Sequence, residues 1–287
     1  MTKDERKIRP FWDQESGPKE AEMFSGLGLA RGSLLFLGRY TLKEVMAVLA
    51  KKSFFREAQK RNLWPIKYQL DSSEYPVQRL LIYWEEENPE RVIVDLKIRE
   101  AEVKFSASEK HGYKLPSQRC LLFEWLTLQN PRLEFDEKHP PLPGQNRPGL
   151  SLSKKILEVF VYLGRLIQLD GLVAFPAYFH NALLFSRYFY FVDPIREGQI
   201  KAIRKQFSHV PFRQLAWAVY LGCLKDDQGR TYEWQAEEQI FPFSEELKEY
   251  LDSKLYKEIA RHVEKTARFS LDWELFKQKA RSQGILY

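Results

Sequence analysis

With 287 residues, 44% of them apolar and 14% aromatic, the chain has the material for one enlarged domain with a substantial core. Its two cysteines, Cys120 and Cys223, are too few for a disulfide framework or a cysteine-based zinc site, so a reducing cytoplasm is the expected compartment. Basic residues exceed acidic ones by 45 to 39; this mixed surface suits an anionic small ligand as well as nucleic acid and selects neither. No apolar run approaches a membrane span, and Met1–Arg9 is charged with no apolar segment after it, so neither a membrane nor a secretory leader is expected.

Residues 1–40, with glycines at 17, 26, 28, 32 and 38, read as an irregular lead-in. Thr41 then has the character of a helix N-cap, with Glu44 completing a capping box. Leu42, Val45, Met46, Leu49 and Phe54 follow at helical spacing, which predicts a helix to about Arg61 with its basic residues late, where they complement the dipole. The runs 80–84 and 92–98 flank a charged turn containing Asn88-Pro89 and predict an antiparallel hairpin, with 102–105 extending or bending the second strand. Cys120 to Gln129 is mostly apolar and reads as a central strand.

The segment from Pro141 to Pro194 carries the readable chemistry. A rigid loop, Gln145-Asn146-Arg147-Pro148-Gly149-Leu150-Ser151, runs into a helix whose stripe is Leu152, Ile156, Val159, Phe160, Leu163 and Ile167. Leu169-Asp170-Gly171 stops that helix. A short strand at 172–175, a brief helix near 178–188 and a strand at 189–192 come next. Strand, loop, helix, strand is a crossover unit, which places 120–129 and 172–175 parallel. Glycine where a strand feeds a helix lets backbone N–H groups approach an anion, and the helix N-terminus adds partial positive charge. Lys154 and Lys155 in the first turn oppose the dipole, a placement that a bound polyanion would explain. Beyond Pro194 two helices near 197–207 and 211–224 are expected, then a hairpin around 226–243 turning at Asp227-Gln228-Gly229, then mainly helix from 244 to 280.

Other chemistry is sparse. The five histidines lack metal-binding spacing, so no metal is expected, and there is no nucleophile elbow, P-loop or dinucleotide fingerprint. His180 lacks an evident acid and nucleophile and reads as structural. The basic residues of 254–281 are interleaved with Glu258, Glu264, Asp272 and Glu274, so a solvated amphipathic helix is expected there rather than a nucleic-acid surface.

The order helix, hairpin, central strand, glycine loop, helix, strand, short helix, strand resembles the GNAT N-acyltransferase superfamily over roughly Tyr40 to Pro194. The resemblance implies an α+β fold with a mixed, mostly antiparallel sheet: a lead-in at 1–40, an acyltransferase-type domain at 41–194 and a helical extension at 195–287 packed on it. It implies that acetyl-CoA or another acyl-CoA is the donor substrate and a small-molecule or peptide amine the acceptor. Gly149 and Ser151 match the two small positions of the family's pyrophosphate loop, and Gln145, Arg147 and Lys154 accompany them. Asn181 falls where the family often holds the pantetheine arm. Glu124, on the central strand, matches a base that some members carry; burial among Leu122, Phe123 and Leu126 would raise its pKa towards a working range, whereas a carboxylate facing a polar groove or paired with a nearby Arg or Lys would be structural. Phe185 stands where the family's tyrosine acid usually falls, so Tyr178, Tyr188 or Tyr190 would have to serve, and Tyr188 is carried forward with Glu124. A non-catalytic binding protein on the same scaffold is the alternative.

Overall fold

The computed structural model describes residues 34–285. The lead-in expected over 1–40 therefore lies outside the described residues except for 34–40, where Phe36 and Tyr40 form a short bridge. Helix α1 (Leu42–Lys51) begins with the expected capping box. The Thr41 hydroxyl accepts from the Glu44 N–H at 3.3 Å, and the Glu44 carboxylate accepts from the Thr41 N–H at 2.6 Å. The helix does not run on to Arg61. A straight helix would turn Phe54 about 140° away from Leu49 at ~100° per residue. Instead Ser53 takes a left-handed conformation (φ 65°) and α2 (Phe54–Lys60) starts afresh, so Val45, Met46, Leu49, Phe54 and Ala58 are all buried.

The main sheet has seven strands in the order β1-β2-β3-β4-β5-β8-β6. Its members are β1 (Ile66–Asp71), β2 (Gln78–Trp84), β3 (Val92–Val103), β4 (Gln118–Leu128), β5 (Gly171–Ala174), β6 (Tyr190–Phe191) and β8 (Gln239–Pro242). Strand β1 has no counterpart among the expected elements; it is an edge strand whose residues are largely exposed. All neighbours pair antiparallel except β4 and β5.

Two short helices, α3 (Ser106–Lys110) and α5 (Phe179–Phe185), and the longer α4 (Ser153–Leu166) complete the first two thirds. The rest is α6 (Pro194–Gln206), α7 (Phe212–Tyr220), α8 (Glu245–Asp252), α9 (Lys254–Thr266) and α10 (Trp273–Ser282). The hairpin expected at 226–243 is replaced by a divergence. The turn forms, with Gly229 at φ 75° and the Asp226 N–H on the Arg230 carbonyl at 2.9 Å. The segments on either side of it then part: β7 (Leu224–Asp226) pairs with β9 (Phe269–Leu271) in a separate two-stranded sheet, while β8 enters the main sheet. Ile240 and Gln239 are completely buried between β5 and β6, and that burial decides where the strand goes. The sheet therefore runs across the boundary expected at Pro194.

The core has two principal faces. On one, α1, α2 and α4 cover β2–β5 with residues such as Leu80, Leu96, Leu121, Phe160 and Leu172. On the other, Leu122, Val173 and Ile240 meet Leu247, Tyr250 and Tyr256 of α8 and α9. A third cluster binds α5 to α6 and α7 through Phe179, Leu183, Ile200, Ile203 and Leu215. Helices α6 and α9 cross so closely that a Cβ on Gly198 would stand 2.5 Å from the Ala260 carbonyl oxygen.

Candidate functional site

The expected parallel pairing is present. Cys120 to Phe123 pair with Gly171 to Ala174, and there β5 ends while β4 continues to Leu128. The chain leaves through Phe175 and Pro176, so past Phe123 the β4 backbone has no β5 partner and a wedge opens between the strands. A bulge sits at this point: Lys97 pairs with Trp125 and Ile98 with Phe123, leaving Glu124 as the extra residue. Phe123 and Leu126 pack on the α4 side. Glu124 and Trp125 consequently lie together on the opposite face, beside Arg99 and Lys97.

The far end of β4 is closed by the loop that leads to α4. Gln129 bridges to Gly149, the Leu150 N–H donates to the Leu128 carbonyl at 3.1 Å, and the Asn130 N–H donates to the Pro148 carbonyl at 2.8 Å. Leu150 and Leu152 are buried and fix the start of α4 beside the wedge. That start has no side-chain cap and no acidic residue in its first turn. Lys154 there is exposed, and Lys155 pairs with Glu158 of its own helix at 3.5 Å.

The predicted residues divide accordingly. Gly149, Ser151 and Lys154 come together at the helix entry. A Cβ on Gly149 would meet only the Leu128 carbonyl at 3.8 Å, an ordinary contact, so the fold itself does not require glycine there; Ser151 holds a left-handed φ of 56°. Gln145 closes its own turn, its side-chain oxygen accepting from the Leu142 N–H at 3.0 Å. Arg147 is drawn across to Glu90 and Glu134 at 3.5 and 3.4 Å. Asn181 is half-buried in the first turn of α5. Of its two expected settings Glu124 takes the paired one rather than the buried one. The bulge turns it outward, its side chain is 34% exposed, and its carboxylate pairs with the Arg99 guanidinium at 2.5 Å. Tyr188 is also displaced from the expected place: it is exposed beyond the C-terminal end of α5, whereas the wedge opens at the N-terminal end of that helix.

The tyrosine at the wedge is Tyr178, which the sequence could not separate from Tyr188 and Tyr190. Its ring lies directly on Gly144, where an added Cβ would stand 2.2 Å from both the ring and Oη, and Gly144 has φ 73°. The glycine that the fold requires in this loop is therefore Gly144. Tyr178 stacks on His180 at 5.5 Å and approaches Tyr220 at 6.1 Å. Trp217 donates to the Pro141 carbonyl and Trp234 to the Pro176 carbonyl, both at 3.0 Å, so the C-terminal third grips both sides of the wedge mouth. His180 is buried, its Nδ1 has no hydrogen-bond partner, and burial pushes its pKa down to about 4. These braces escaped sequence reasoning. The Pro143-Gly144 turn signal was the one available clue.

Among the described residues no helix is long and apolar enough to cross a membrane, and no group of three or more His, Cys, Asp or Glu is placed to hold a metal ion. No protein-family model matches the chain, and no curated protein matches it.

Proposed function

We propose that this protein is an acyl-CoA-dependent N-acyltransferase with a GNAT-like arrangement of its sheet. The observation that carries the reading is the wedge: a parallel strand pair that parts after Phe123 and Ala174, with an uncapped, lysine-bearing helix N-terminus beside it. An extended thioester arm fits such a gap because unpaired strand backbone offers it donors and acceptors. Its phosphates would meet the first N–H groups of α4, Gly149, Ser151 and Lys154. Asn181, in the first turn of α5, would orient the arm.

The acceptor would approach from the opposite face, where the bulge presents Glu124 and Trp125. The acceptor ammonium first gives up one proton, the freed nitrogen attacks the thioester carbonyl carbon, the C–S bond breaks, and the nitrogen loses its second proton while the departing sulfur gains one. Glu124 is the candidate base for the first of these protons, once the ammonium displaces Arg99 from its carboxylate. Tyr178, at the wedge mouth, replaces Tyr188 as the candidate donor to sulfur. Most of the effect would come from positioning and amine deprotonation.

The Arg99–Glu124 pair and the phenylalanine at 185 favour a second reading, a scaffold that binds without turnover. Coenzyme A at ~100 times its dissociation constant should stabilise the protein by about 2.7 kcal/mol. Gly149→Asp, which the fold tolerates, should abolish that gain by setting a carboxylate against the phosphates. Glu124→Gln should lower turnover roughly 10²–10⁴-fold with donor affinity kept. No stabilisation at millimolar coenzyme A removes both readings; binding without turnover across amines and acyl donors leaves only the second.

A further inference from the structure

A cavity of about 480 Å³ opens between α6, α8 and α9 beside the edge strand β6. It is separate from the wedge. Pro242 in its wall pairs with Gly171 at the start of β5, whereas the wedge opens past Ala174 at the other end of that strand. Tyr256 anchors the wall, its hydroxyl donating to the Phe191 carbonyl at 2.6 Å.

Four cations from three helices converge on this space, Lys201, Lys248, Lys257 and Arg261. Two acids, Asp252 and Glu264, lie in the wall, and two more, Glu197 and Glu245, are paired to the lysines beside it. The three lysines are held by pairs with Glu197, Glu245 and Asp252 at 2.9, 2.7 and 2.7 Å, and each stays about half exposed at 47%, 43% and 51%. Pairs this exposed contribute little, so a doubly charged oxyanion can take the lysines over. Glu197 has other work, since its second oxygen accepts the buried Phe191 N–H at 3.1 Å and blunts the edge strand. Arg261 has no ion-pair partner among the described residues. The space is larger than a bare phosphate needs, and part of its wall is carbon: Pro242, Leu251 and the ring of Tyr190, which is 46% exposed. Convergent charge beside an apolar wall is the character of a small-molecule site.

We infer that this cavity binds a small organic phosphate. Arg261, Lys257 and Lys201 take the phosphate, the guanidinium as a two-pronged donor. Tyr190 and Leu251 receive the organic body. Calorimetric titration of the full chain with adenosine monophosphate, adenosine and vesicles containing phosphatidic acid tests this. Saturable binding of the nucleotide but not the nucleoside is expected. Arg261→Ala should weaken that binding by roughly tenfold or more, and Arg261→Lys by less. In a Lys154→Glu background, where the wedge loses its own phosphate contact, Arg261→Ala should have the same effect. If the vesicles bind, the nucleotide does not, and Arg261→Ala abolishes vesicle binding, the phosphate site stands and its source is a lipid headgroup. Equal binding of nucleotide and nucleoside, indifference of all binding to Arg261→Ala, or no binding at millimolar concentration would overturn the inference. Arg261 is exposed, so an unchanged melting temperature in the variants confirms that the fold is intact.

Discussion

Helices α1 and α4 cover the same face of the sheet but enter it in opposite ways. Helix α1 satisfies its own entry: Thr41 and Glu44 exchange hydrogen bonds, and the acid sits where the dipole favours it. Helix α4 has no cap, no acid and two lysines in its first turn, and its position is imposed from outside by Leu150, Leu152 and the packing of Tyr178 on Gly144. The difference separates a helix start that satisfies its own N-terminal turn from one that has neither a side-chain cap nor a compensating acid. Functional sites are expected where such local rules are broken.

The most damaging way to break the comparison is to remove the outside support of α4. Gly144→Val adds a branched side chain at φ 73° where even a Cβ would lie 2.2 Å from the Tyr178 ring. It should cost about 3 kcal/mol, from overpacking plus left-handed strain. Gly149→Ala should cost less than about 0.5 kcal/mol, since its Cβ meets nothing closer than 3.8 Å. Denaturant unfolding of the two variants reads the contrast directly, and equal costs would mean that Tyr178 does not brace the loop.

His180 sharpens the same contrast through pH. Its folded pKa of about 4 lies below its ordinary value of 6.5, so the unfolded chain binds the extra proton first. Its contribution to stability is therefore complete above pH 6.5 and is lost as pH falls from there towards 4. Between pH 7.5 and 5 the wild type should lose about 2 kcal/mol that His180→Phe does not lose. Parallel pH profiles for the two proteins would show that the histidine is not held neutral.

Much of this was legible in the sequence, and the failures have local causes. The capping box, the β2–β3 hairpin, the central strand and the α4 stripe follow from signals within a few residues of each other. The parallel β4–β5 pair follows from connection rules. What escaped depended on distant partners. Ser53 breaks a helix because Phe54 must reach the core that Leu49 occupies. Strand β8 leaves its turn for a slot between β5 and β6, which nothing near residue 239 announces. Glu124 sits among apolar neighbours in sequence, yet one bulge opposite Lys97 and Ile98 puts it outside with Arg99. Tyr178 looked no different from Tyr188 until Gly144 was placed beneath its ring.

A smaller effect measures the self-contained helix. Thr41→Ala removes the hydroxyl that accepts from Glu44 and should cost about 1 kcal/mol. Thr41→Ser should recover most of it. A cost near zero would mean that α1 is held by its buried face alone.

The smallest expected effect is the most informative, because its sign runs against intuition. Lys154 lies in the first turn of α4, where a positive charge opposes the helix dipole and no acid compensates it. Lys154→Glu removes the unfavourable charge and supplies a favourable one. If α4 were an ordinary helix start, the change would simply be an improvement, of about 0.5 kcal/mol in the free protein. If the lysine is kept for an anion, the same substitution should raise the melting temperature of the free protein and abolish the rise produced by coenzyme A. The two readouts move in opposite directions, so general damage cannot imitate the result. A variant that is stabilised and still gains from coenzyme A would show that Lys154 has no part in holding an anion. One that is destabilised would show that Lys154 makes a contact that offsets its conflict with the dipole.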